Sequence, residues 1–90
     1  MSTPTEDPAE RAKHYIRSFE SALQQNRVLT SDSSVKTEAI NQVSDALERY
    51  LKDAKYYLEN QKPTTSLASI AYAEGLLDAL VYLGLTKPVE

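Results

Sequence analysis

Residues 35–61, VKTEAINQVSDALERYLKDAKYYLENQ, decide the fold. Ile40, Val43, Leu47, Tyr50, Ala54 and Tyr57 alternate at spacings of three and four, and Ala46, Leu51 and Leu58 widen the stripe. That period is the apolar face of an α-helix, and no glycine or proline interrupts it. The spacing predicts a helix over 35–61, roughly 40 Å long at about 1.5 Å per residue. Such a helix would be the long central one of its domain, overhanging its neighbours by about 10 Å.

Upstream, Asp7-Pro8-Ala9-Glu10 is a helix start. Asp7 accepts at the N-cap, Pro8 takes the first helical position where its missing N–H is harmless, and Glu10 completes a capping box. Ala12, Tyr15, Ile16, Phe19, Ala22 and Leu23 then make one stripe, predicting a helix over about 8–26. Thr30-Ser31-Asp32-Ser33-Ser34 offers N-caps to the central helix. Downstream, Pro63 closes a short turn, Thr64 or Thr65 can cap, and a third helix follows over about 65–83. Gly84 ends it with a left-handed residue, Leu85 folds back on Leu80, and Pro88 prevents continuation. The expected architecture is all-α: a three-helix up-down-up antiparallel bundle, one domain over 8–85 with tails at 1–7 and 86–90. No strand pattern competes.

The chain has 90 residues, 41% of them hydrophobic and 26% charged, and a net charge of −3. That balance belongs to an ordinary globule with one modest core, and it lacks the basic footprint of a nucleic-acid binder. Without cysteine, and with His14 as the single histidine, the chain cannot build a disulfide scaffold, a thiolate metal site or a two-imidazole site. The most apolar window, Leu76 to Leu85, is about half the length of a membrane span. A cytoplasmic protein that neither crosses a membrane nor binds nucleic acid is expected.

The third helix stands apart. Between Ser66 and Thr86 its charges are Glu74 and Asp78 alone. Leu67, Ile70, Leu77 and Leu80 form one seam; Ala68, Tyr72, Gly75, Ala79 and Tyr82 form another; Leu76 and Leu83 point between them. A bundle helix buries about half its circumference, so part of this apolar surface is expected to meet a partner. Gly75, beside Ala68, Ala71 and Ala79, reads either as close packing inside the bundle or as a place where a partner approaches.

Glu74 and Asp78 lie four apart on one helical face. With Asp53 they could hold a divalent cation or share a proton; alternatively, they accept hydrogen bonds from tyrosine hydroxyls. Tyr50 and Tyr57 flank Asp53 on the central helix, and Tyr72 lies on the third. No Gly-rich phosphate loop accompanies them.

The run from Ile70 through Tyr72-Ala73-Glu74-Gly75-Leu76-Leu77-Asp78 to Leu80, preceded by Tyr50-Leu51-Lys52-Asp53-Ala54-Lys55-Tyr56-Tyr57-Leu58, resembles a small archaeal family known as domain of unknown function 357. The resemblance covers about residues 36–85. It implies an all-helical fold and brings no biochemical activity. Its hallmark positions fall on Tyr50, Asp53, Tyr57, Tyr72, Glu74, Gly75 and Asp78. Gln61-Lys62-Pro63 stands where many members have Gly-Asp, a departure from the pattern.

Three readings follow. The leading one is a non-enzymatic interaction or oligomerisation module, joining a protein partner or itself through the apolar face of the third helix, with Leu76 and Leu83 at the interface. The alternative is a small-ligand or divalent-metal binder, conceivably an enzyme, at Asp53, Glu74 and Asp78 with tyrosine walls. The third is that the tyrosine–carboxylate cluster sets the register of helices two and three. No catalytic residue, cofactor or metal ligand is assigned.

Overall fold

The computed structural model describes residues 7–29 and 37–89. Three helices carry the fold: α1, Pro8–Gln25; α2, Thr37–Glu59; and α3, Pro63–Tyr82. Two short strands, β1 (Asn26–Val28) and β2 (Thr86–Pro88), pair antiparallel. The three-helix bundle expected from the periodicity is present. The tail expected over 1–7 and the capping run at 30–34 fall outside the described residues, except Asp7.

α1 starts as its sequence dictates. The Asp7 carboxylate accepts from the Ala9 N–H at 3.0 Å, and Pro8 occupies the first turn. Asn26 leaves helical geometry (φ −130°, ψ 135°), and its amide donates to the Ala22 carbonyl at 2.9 Å. α2 is the longest helix, with 23 residues against 18 and 20. It is shorter than its unbroken pattern allows, and its excess over α3 is about 5 Å rather than 10 Å.

α2 stops because the backbone turns left-handed at Gln61 (φ 62°). Lys62 N–H donates to Tyr57 O at 2.8 Å and Gln61 N–H to Leu58 O at 3.2 Å, which together make a Schellman motif. The chain enters α3 at once: Ser66 N–H reaches Lys62 O at 2.9 Å with Pro63 in the first turn. The threonine caps expected at 64 or 65 are therefore already inside the helix. A proline pre-set to helical φ makes a capping side chain unnecessary there.

The C-terminus of α3 repeats the motif. Gly84 (φ 72°) supplies the left-handed residue, Leu85 N–H reaches Leu80 O at 2.8 Å, and Leu85 is buried in the core cluster with Leu80. The expected fold-back of Leu85 is present. The following residues, expected as a tail with no strand anywhere, instead form the ribbon. Asn26, Arg27 and Val28 pair with Pro88, Lys87 and Thr86, and bonds from Leu29 N–H to Leu85 O and Val89 N–H to Gln25 O extend the ladder. Pro88 fits because such a short ribbon leaves edge positions where its missing N–H is not needed.

The core gathers Ala12, Ile16 and Phe19 of α1, Ile40, Leu47 and Ala54 of α2, Ile70, Ala73, Leu77 and Leu80 of α3, and Leu85. α2 and α3 form the largest helix–helix interface. Ala54, Ser66 and Ala73 are wholly buried, and side chains this small let two helices approach closely.

Candidate functional site

α3 presents two seams that its sequence leaves equivalent, and packing separates them. Ile70, Leu77 and Leu80 are buried and Leu67 is half-buried, whereas Ala68, Tyr72, Gly75, Ala79 and Tyr82 are all exposed. Ala71, between them on the helical wheel, is exposed too. The outer face of α3 is thus an uncharged stripe of small residues with a tyrosine towards each end. Tyr72 is 57% exposed, Tyr82 83% and Leu83 66%. Val81, which the two-seam reading left out, is also exposed.

A Cβ built on Gly75 would meet nothing within 4 Å. The expectation that this glycine serves close packing inside the bundle is therefore corrected: the bundle packs on the opposite face. Leu76, expected at the outer interface with Leu83, is half-buried and packs against the core. Only about 80° of helical wheel separates it from the outer stripe's centre, and α2 covers that flank.

The hallmark residues divide. Tyr50 and Tyr72 come together across α2 and α3, ring centroids 4.4 Å apart at 32°, and the Arg49 guanidinium lies 5.8 Å from the Tyr50 centroid. Tyr57 is half-buried, its ring edge-on to Tyr56 at 5.5 Å and its carbonyl held by the turn. Asp53 is half-buried on α2. Among the described residues no three His, Asp or Glu side chains are placed to hold a metal, so Asp53 does not complete a donor set with Glu74 and Asp78.

The tyrosine–carboxylate network is likewise not formed. Among the described residues, no tyrosine hydroxyl donates to Asp53, Glu74 or Asp78. The polar contact that joins α2 to α3 is instead the wholly buried Ser66, whose Oγ donates to Ala54 O at 2.6 Å. Ser66 was missed because serine is read as a cap or loop residue. Its spacing to Ile70, Ala73 and Leu77 (four, seven, eleven) places it on the buried stripe.

Glu74 is half-buried and Asp78 exposed, and both lie along one edge of the outer face. Burial raises the Glu74 carboxyl above its ordinary 4.5, and the negative charge of Asp78 pushes it the same way. The described ion pairs are Lys13–Glu10 within α1 and Lys55–Glu20 between α2 and α1; neither outer-face acid is paired. α3 carries no Lys or Arg from Pro63 to Tyr82.

The family model for the protein of unknown function DUF357 matches residues 14–86, which spans most of α1, all of α2 and α3, and the start of β2. This chain belongs to the DUF357 family. The match extends well upstream of the tyrosine-rich segments, so the first helix is part of the family's unit. No curated protein and no solved structure matches the chain. Among the described residues, no helix is long and apolar enough to cross a membrane.

Proposed function

We propose that this DUF357 chain is a helical interaction module that docks a helix of another polypeptide on the outer face of α3. The observation that carries this reading is Gly75: a glycine inside a helix costs about 1 kcal/mol relative to alanine, and nothing inside the molecule occupies the space its Cβ would take. The open space, flanked by Ala68, Ala71 and Ala79, suits the close approach of a second helix. Tyr72 and Tyr82 then supply rigid rings of the kind that dominate interface energetics.

The test has two parts. Gly75→Ala in the isolated chain raises stability by about 1 kcal/mol, read by denaturant unfolding, because the new methyl meets no neighbour and the helix gains propensity. A photo-crosslinking residue at Ala79, introduced in the source cell, gives a discrete adduct that Tyr82→Glu abolishes, while the same residue at exposed Lys52 of α2 gives none. Equal adducts at both positions, or none at Ala79, overturn the reading.

A further inference from the structure

The outer face of α3 is uncharged along its centre but not along its edge. Glu74 and Asp78 stand there one helical turn apart, about 6 Å along the axis, with no cation paired to either among the described residues. The hydrophobic stripe and the acidic edge together define what can cover this surface. A second copy of α3 cannot satisfy it. α3 has no Lys or Arg, so any α3–α3 pairing, parallel or antiparallel, adds two more carboxylates beside the stripe and brings no cation. Like charges forced together while water is excluded oppose association. An anionic membrane surface is disfavoured for the same reason.

Resting on the docking reading above, we infer that the occupant of this face is a helix of a different protein, with small or apolar residues at its centre and two Lys or Arg residues, three or four apart, along one edge. The small residues 68, 71, 75 and 79 let the two axes come within about 8–10 Å. At that separation the basic pair reaches Glu74 and Asp78, and their carboxylates gain the partners the fold withholds. Opposite charges across a helix pair set partner choice and orientation, so this edge serves specificity while the stripe and the tyrosines supply the buried area.

The experiment uses the full chain, isotope-labelled, and two synthetic amphipathic peptides of about 20 residues, long enough to hold a helix. The peptides share an Ala/Leu face and differ only in carrying two Lys or two Glu along one edge. The Lys peptide is expected to shift the amide resonances of Ala68, Gly75, Ala79 and Tyr82 and to bind about tenfold tighter than the Glu peptide, equivalent to ~1.4 kcal/mol. Glu74→Gln/Asp78→Asn removes that preference while the core resonances keep their positions, which excludes unfolding as the cause.

Equal shifts from both peptides on the α3 face overturn the charge inference and leave the docking reading standing. Shifts elsewhere, or none with either peptide, overturn both. Light scattering supplies the last arm: a concentration-dependent dimer that moves the same resonances, unaffected by the double substitution, makes the occupant a second copy and overturns the inference alone.

Discussion

Gln61 and Gly84 hold the same left-handed backbone at the ends of α2 and α3, with φ of 62° and 72°. Glycine adopts that conformation freely, whereas a side chain crowds the following carbonyl. Gln61→Gly is therefore expected to raise stability by about 0.5–1 kcal/mol, the relieved strain being partly offset by a freer unfolded chain. Gly84→Ala should lower it by about 1 kcal/mol through the backbone alone, since its Cβ would meet nothing within 4 Å. Denaturation midpoints at unchanged m-value decide both, and a destabilised Gln61→Gly would refute the strain argument. Glu74 gives a pH dependence of defined sign. Its folded carboxyl titrates above the ordinary 4.5, so the folded state holds that proton more tightly than the unfolded state does. The contribution is fully present below the unfolded value and is lost as pH rises through the raised folded value. Glu74→Gln should accordingly flatten the stability profile just above pH 4.5 and raise stability at pH 7 relative to the parent; an unchanged profile would show the carboxylate to be as well solvated folded as unfolded.

At the scale of elements, the interface of α2 with α3 depends on a contact that no periodicity reveals as polar. Ser66→Ala keeps the packing and removes the 2.6 Å bond to Ala54 O. That carbonyl still accepts within its own helix, so the loss should be modest, about 0.5–1.5 kcal/mol. Ser66→Leu should cost more, because the wholly buried site between two close helices has no room for it. A smaller penalty for leucine than for alanine would mean that this interface is loosely packed. The same interface marks where the sequence is legible. Ile40, Leu47, Ile70, Leu77 and Leu80 follow from spacing because burial of a helix face is a one-dimensional pattern. The separation of the two α3 seams does not follow, since both are apolar and only the positions of α1 and α2 decide which is covered. The tyrosine–carboxylate network was misjudged for a related reason. Spacing puts Tyr50, Tyr57, Glu74 and Asp78 on helices that pack together, but the direction of each hydroxyl depends on side-chain geometry, and Tyr50 stacks on Tyr72 instead. A left-handed Gln61 was equally hidden, because the cue for such a turn is the glycine that this chain lacks.

The whole molecule is closed by the ribbon, which joins the end of α1 to the chain after α3 across some sixty residues of sequence. Three-residue strands carry no alternation to read, and their pairing exists only because the bundle brings two helix ends together. Within it, Arg27 and Lys87 stand directly opposite each other, both exposed. Directly opposed like charges on one face of an antiparallel pair destabilise it. The ribbon is thus held by Leu85 in the core and by its backbone bonds, against its own electrostatics. Arg27→Glu turns that repulsion into attraction and should raise stability by about 0.5 kcal/mol at low ionic strength. The gain should shrink as salt screens the exposed pair, and Arg27→Glu/Lys87→Glu should return the molecule near its starting point. Thermal unfolding at low and high salt measures both effects. A gain that survives high salt would have to come from strand propensity rather than charge, and a loss at low salt would mean the two side chains do not face each other across the ribbon.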